Sequence, residues 1–315
     1  MRMAAYFRVF TILTDMPDLT FTAPQCIAPV AAVLGEGPIW SPSERRLYWL
    51  DIKGKRLFAY DPAKKSTAAF ETPAMVSALG LARGADFICA REDGLFLLDL
   101  KDGALCFHKI ADPEADLPGN RFNDGKVDPG GAFWAGGMDN AEDDVTGAWW
   151  RLTPDGETRK MHGGFHVPNG PAFDHARRRI YLTDSAKRTI YIRDEDESAG
   201  LCVHRVFEER HGYPDGMDVD RHGRLWVAFW DGGCIRCLSP EGDILHQIDI
   251  PAPRPTSLAI VDNAIYVTSA SIGLSDEQRN HAPASGGLFH IAVSEPIGAE
   301  KCFYFDARNL KPRKT

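Results

Sequence analysis

Glu36-Gly-Pro-Ile-Trp-Ser-Pro-Ser-Glu-Arg-Arg-Leu-Tyr-Trp-Leu-Asp51 is answered, far along the chain, by Asn169-Gly-Pro-Ala-Phe-Asp-His-Ala-Arg-Arg-Arg-Ile-Tyr-Leu-Thr-Asp184. A short aromatic, β-branched run follows each stretch: Lys55-Arg-Leu-Phe-Ala-Tyr-Asp61 in the first case, Thr189-Ile-Tyr-Ile-Arg-Asp194 in the second. Further copies begin at Asn123-Asp-Gly and Asp215-Gly-Met, and weaker ones at Gly80-Leu-Ala and Ser257-Leu-Ala-Ile. Equivalent positions 37, 80, 125, 170, 216 and 257 are separated by 43, 45, 45, 46 and 41 residues. Repeats of ~40–50 residues made only of short strands are the mark of propeller blades, whereas helical repeats carry a 3.6-residue period. No long amphipathic helix interrupts them. The fold class predicted is therefore all-β, a six-bladed β-propeller, because a β-sandwich has no reason to repeat so regularly. Ring closure calls for a borrowed strand, either from residues 21–33 or from Lys301-Cys-Phe-Tyr-Phe305.

This repeat overrides the arithmetic of length. The chain has 315 residues, and ~150 residues per domain would give about two domains. The repeats instead make residues 21–315 one propeller, preceded by an extension over residues 1–20 that is expected to be poorly ordered. A net charge of −8 repels phosphate backbones and argues against a nucleic-acid partner. No apolar run reaches the ~18–20 residues of a membrane helix. The N-terminal apolar run is broken by Arg8 and followed by Asp15 and Asp18, unlike a secretory signal. Seven scattered cysteines, an odd number, point to reduced thiols and a cytoplasmic setting. A monomer or weak homodimer is the default expectation for assembly.

In a propeller the first strand of every blade lines the central channel. The residues just before the six equivalent positions are Glu36, Leu79, Asp124, Asn169, Asp215 and Thr256. Two readings stay open. Asp-Gly and Asn-Gly are common turn dipeptides, and repeats reuse their turns. Alternatively, carboxylates crowded near an axis are costly unless they hold a cation, and oxygen-only ligands suit hard divalent ions.

Leu34-Gly-Glu-Gly-Pro-Ile-Trp40, Arg121-Phe-Asn-Asp-Gly-Lys-Val-Asp128, Pro168-Asn-Gly170 and Tyr213-Pro-Asp-Gly-Met217 resemble, in order, the motifs of the SMP-30/gluconolactonase/regucalcin family. The resemblance runs from about residue 30 to the C-terminus. Gly273-Leu-Ser-Asp-Glu-Gln278 and Gly286-Gly-Leu-Phe289 resemble its bacterial sugar-lactonase branch. It implies a divalent-metal-dependent lactonase that opens a sugar (aldono-) lactone to the aldonic acid. The implied metal ligands are Glu36, Asn169 and Asp215. One divalent ion is implied, Ca²⁺ first, with Zn²⁺, Mg²⁺, Mn²⁺ or Fe²⁺ as alternatives. The ion would polarise the lactone carbonyl, and Asp215 would assist the attacking water. Arg121 and Asn123 match substrate contacts. Where animal members carry a Glu, this chain reads Gly136-Gly-Met-Asp-Asn-Ala141, so Asn140 or Asp139 is the candidate replacement. Two competing readings keep the fold: a paraoxonase-like ester or phosphotriester hydrolase, and a non-catalytic propeller that binds calcium or a protein.

Other features are read as structural. Cys234-x-x-Cys237 lies in a predicted strand, where a separation of three turns the thiols to opposite faces. The tryptophans are read as packing between blades, with Trp230 open to a second reading, against the sugar. His166 reads as a solvated loop residue or a pocket residue. The acidic stretch Asp139–Asp144 reads as a solvated loop or a lid.

Overall fold

The computed structural model describes residues 19–194, 200–299 and 302–310. Among them the strands form six sheets, five of four strands and one of five. The innermost strands are Gly35–Ser41, Val76–Arg83, Asn120–Val127, Pro168–Asp174, Tyr213–Val219 and Pro255–Val261, one for each of blades 1 to 6. Each innermost strand touches those of the blades before and after it, and the sixth touches the first. The ring closes as the repeat spacing predicts, and closure leaves few free sheet edges.

Burial explains why the strand sequences look as they do. The second strand of blade 1, Arg46–Asp51, is buried along nearly its whole length, so it reads as an apolar and aromatic run rather than an alternation. The fourth, Ser66–Glu71, is mostly exposed and reads as polar. Aromatic rings weld blade to blade. Tyr48 meets Phe87 edge-on at 4.9 Å, and Trp134 meets Phe173 at 6.2 Å. Each such buried ring contributes about 1.5–3 kcal/mol through lost water contact. Trp134 and Trp226 also satisfy their indole N–H groups on Asp128 and Asp220, each at 3.0 Å. Cys234 and Cys237 are buried in two different clusters, the first with Met217 and the second with Trp226, as a period of two requires.

Gln25–Ala28 supplies the closing strand. It pairs antiparallel with Leu288–Ala292 as the outer strand of blade 6. The other candidate segment does something different: Phe305–Asp306 adds in parallel to Ala82–Arg83 of blade 2. Of the expected 1–20 extension, residues 1–18 lie outside the described residues. Leu19 is buried with Trp226, and the Thr20 N–H donates to Ser294 Oγ at 3.1 Å. The only α-helix among the described residues is Asp276–His281, and none is long and apolar enough to cross a membrane.

One irregularity recurs in every blade. Pairing between the first and second strands breaks register at Glu36/Ile39, Val76/Ala78, Phe122/Asp124, Asn169/Ala172, Pro214/Met217 and Pro255/Ser257. Such breaks re-aim side chains and increase local twist, and they recur beside functional sites. The x-Gly dipeptides therefore sit within strands, not in turns. Gly170 needs its φ of +91°, and a Cβ there would lie 2.5 Å from Met217 Cε. A Cβ at Gly125 would lie 2.3 Å from the Trp134 carbonyl oxygen.

Candidate active site

At one end of the central channel lies a cavity of ≈ 350 Å³ lined by Glu36, Arg121, Asn123, Asn169 and Asp215. Blades 1, 3, 4 and 5 contribute these groups from the first residues of their innermost strands. Five of the six residues predicted for the site are thus brought together. Asn140 is not among them. It is exposed on the blade 3 loop and accepts a hydrogen bond from Lys53 Nζ at 3.0 Å. Asp139 does not face the cavity either, since its carboxylate accepts the loop N–H groups of Asp143 and Asp144.

Asp124 departs from the sixfold pattern. In blade 3, Asn123 sits in the register break and takes the mouth position. Asp124 lines a second cavity of ≈ 160 Å³ deeper in the channel. Its carboxylate accepts the N–H of Gly125 at 2.7 Å and of Gly170 at 2.9 Å, and burial pushes its pKa up to about 7.

A chain of hydrogen bonds runs around the mouth. Arg121 donates to Asn123 Oδ1 at 2.7 Å, and Asn123 Nδ2 donates to Asn169 Oδ1 at 3.0 Å. Asn169 Nδ2 donates to Ser185 Oγ at 2.8 Å, and Ser185 donates to the Pro214 carbonyl at 2.6 Å, one residue before Asp215. The amides are thereby oriented, and Asn169 Oδ1 keeps one lone pair for the cavity.

The two acids are far less satisfied. Glu36 accepts the Gly37 N–H at 3.1 Å, and Asp215 Oδ1 is buried without a hydrogen-bond partner among the described residues. Burial first, then the charges of Asp215 and Asp124, push the Glu36 carboxyl well above its ordinary range. Asp215 is pushed up in the same way by burial and by Asp124. Arg121 is 3% exposed, and burial lowers its pKa. It cannot cancel the acids alone, being engaged with the Phe122 carbonyl and Asn123, while its Nε is buried without a partner.

Paired buried acids of this kind call for a cation. Among the described residues, no three His, Cys, Asp or Glu side chains form a metal-sized group. The third oxygen here is an amide. Glu36, Asp215 and Asn169 Oδ1 together present a hard, two-carboxylate donor set, and the orphaned Asp215 oxygen fits a divalent ion.

The cavity also holds residues the sequence reading placed elsewhere or left ambiguous. Glu142, within the acidic stretch, lines it, with its carboxylate 3.9 Å from Arg121. His166 Nε2 lies 2.7 Å from the Glu142 carbonyl and fastens that loop. Trp230 lines the cavity too, beneath the Arg254 guanidinium at 4.7 Å. Tyr213, Ser185 and Asp231, the last paired with Arg254, also belong to the wall. Only the proximity of Tyr213 to the Pro-Asp-Gly motif could have flagged it in advance.

The model of a family described as SMP-30/Gluconolactonase/LRE-like region matches residues 34–271. A 6-deoxy-6-sulfogluconolactonase of Pseudomonas putida is 34% identical over 286 residues, covering 89% of this chain and 98% of its own. A pentonolactonase of Haloferax volcanii is 34% identical over 281 residues, covering 83% of this chain and 91% of its own. In three dimensions, a calcium-binding regucalcin of Agrobacterium tumefaciens superposes with a TM-score of 0.84 at 26% identity. That match covers 90% of this chain and 97% of the other.

Proposed function

The chain belongs to the SMP-30/gluconolactonase/LRE-like family, and from that premise we propose that it is a lactonase opening an aldonolactone in the cavity between Glu36, Asn169 and Asp215. The observation that carries this reading is the buried, unpartnered Asp215 oxygen beside a second uncompensated acid. Glu36, Asn169 and Asp215 would hold one divalent ion, Ca²⁺ first, with Zn²⁺, Mg²⁺, Mn²⁺ or Fe²⁺ as alternative occupants. Such an ion supplies Lewis-acid polarisation of the lactone carbonyl and stabilises the charge that develops on its oxygen.

The remaining work falls to the chain itself. Arg121 offers fixed donors to the sugar hydroxyls, and Asn123 is oriented beside it. Trp230 and Tyr213 give the ring an apolar face. Asp215 takes the proton of the attacking water. Water oxygen bonds to the carbonyl carbon, the ring C–O bond breaks, and the proton ends on the departing hydroxyl. The polar rim of Arg121, Asn123 and Glu142 favours a polyol over an aryl ester or phosphotriester. The sulfogluconolactonase and pentonolactonase relatives point to the same substrate class.

The test is a pH-stat assay of chelator-stripped protein on a panel of aldonolactones, returning single divalent metals. Acid release that depends on returned metal is expected. No metal-dependent release on any lactone overturns the reading.

A further inference from the structure

Two buried acids that the chemistry above does not use sit directly behind the ligand-bearing strands. Asp51 and Asp184 end the second strands of blades 1 and 4, opposite Gly35 and Pro168. Both side chains have no solvent exposure. Asp51 accepts the N–H of Val33 at 3.1 Å and of Leu34 at 3.0 Å, one on each oxygen. Asp184 accepts the N–H of His166 at 2.9 Å and of Val167 at 3.2 Å, again one on each oxygen. The captured amides stand three and two residues before Glu36 in one blade, and three and two residues before Asn169 in the other. Each carboxylate is also paired with a cation, Arg56 at 2.7 Å and Lys187 at 2.9 Å.

The other blades lack this device among the described residues. The residue facing the start of the innermost strand is Arg91 in blade 2, Trp230 in blade 5 and Ser269 in blade 6. In blade 3 it is Asp139, whose carboxylate is spent on its own loop. In blade 5 the corresponding positions are Gly212 and Tyr213; the Gly212 N–H donates to the Glu209 carbonyl, the facing residue Trp230 has no carboxylate, and Ser185 holds the Pro214 carbonyl. The two staples therefore occur in two of the three blades that carry a proposed ligand.

We propose that Asp51 and Asp184 are positioning residues that set where Glu36 and Asn169 enter the cavity, and hence how tightly the site holds its ion. This rests on the metal reading above. A carboxylate suits the task because each oxygen takes one amide, whereas an amide side chain has one acceptor and would turn its own donors on a backbone N–H. Outer partners that orient ligands shift metal affinity by roughly 10–100-fold when removed.

Asp128 and Asp220 provide the control. Their side chains are buried too, that of Asp128 10% exposed and that of Asp220 not at all; Asp128 holds one backbone N–H and Asp220 two, each with an arginine and a tryptophan, but in turns at the far ends of the innermost strands. The experiment compares D51N and D184N with D128N and D220N. Calorimetric titration of Ca²⁺ and Mn²⁺ into chelator-stripped protein gives affinity, and metal-free Tm gives stability. The expected result is a loss of Tm in all four, with affinity about tenfold or more weaker only in D51N and D184N. Affinity that falls equally in all four, or in none, overturns the proposal while the metal reading stands. A wild-type chain that takes up neither ion overturns the metal reading, and this proposal with it.

Discussion

Blades 2 and 6 differ from blades 1, 4 and 5 in side chains and in the backbone at the register break. All break register early in the innermost strand, but blades 1, 4 and 5 leave two residues unpaired there and blades 2 and 6 only one. Where blade 1 presents Glu36, blade 2 presents Leu79, buried with Leu50 and Leu81 in an apolar cluster. Blade 6 presents Thr256, which donates to the Gly35 carbonyl and shares a hydrogen bond with Thr268 at 2.9 Å. The propeller thus repeats one strand position six times, and at the mouth it leaves two acids poorly satisfied, Glu36 in blade 1 and Asp215 in blade 5. A ring fold supplies addresses, and chemistry depends on which of them are left wanting a cation.

The sharpest way to break that comparison is Asp215→Asn. On the reading above it removes both an ion ligand and the proton acceptor, so kcat/KM should fall by about 10³. Stability of the metal-free protein should move the other way. An acid whose pKa is raised on folding favours the fold only while protonated, so that contribution is lost as pH rises. Asp124 bounds the window, from its ordinary 3.8 to about 7. Metal-free wild type should therefore lose Tm on passing from pH 5 to pH 7.5 relative to Asp215→Asn, which no longer charges beside Asp124. Scanning calorimetry at the two pH values, with and without Ca²⁺, measures it. Equal slopes in both proteins would show that the acids of the site are not electrostatically strained.

The reverse substitution tests the silent blades. Leu79→Asn gives blade 2 the side chain of blade 4 without its hydrogen-bonded neighbours. Loss of apolar burial plus an unsatisfied amide should destabilise by about 3 kcal/mol, lowering Tm by roughly 5–10 °C. The lactonase rate of the folded fraction should stay within about twofold of wild type, since Leu79 lines the deeper cavity and not the mouth. A large fall in kcat at a temperature where the variant is folded would mean that blade 2 takes part in the site.

How much of this was legible in advance follows from period and distance. Repeat spacing located all six innermost strands, because a blade needs a fixed length of chain and its strands announce themselves by aromatic and β-branched runs. Cys234 and Cys237 fell on opposite faces because a strand has a period of two. Glu36, Asn169 and Asp215 shared one repeat position, so their convergence was readable. Asp124 shared it too, yet faces deeper, because a register break displaced by a residue is invisible in sequence. Asp51 and Asp184 looked like ordinary strand-end acids, and only the folded chain shows which amides they capture. Around residue 140 no period exists, so Asp139, Asn140 and Glu142 were indistinguishable before the course of the loop was known.

That loop gives the smallest and most discriminating comparison, between groups fixed on strands and a group carried by a loop. The Glu142 side chain is 56% exposed and stands 3.9 Å from Arg121, whose side chain is 3% exposed. Its backbone has a φ of +63°, and its carbonyl is held by His166. A pair that water reaches on one side is worth about 0–1 kcal/mol, so Glu142→Gln should change substrate affinity by no more than about fivefold. On the proposed reading the strand groups act on the reacting atoms and the loop only on the far side of the sugar, so KM should move and kcat should not. Arg121→Lys, by contrast, removes a planar fork buried on a strand and should lower both kcat/KM and kcat. If Glu142→Gln lowered kcat as Arg121→Lys does, the loop would reach the reacting atoms, and blade 3 would serve the chemistry through its loop as well as its strand.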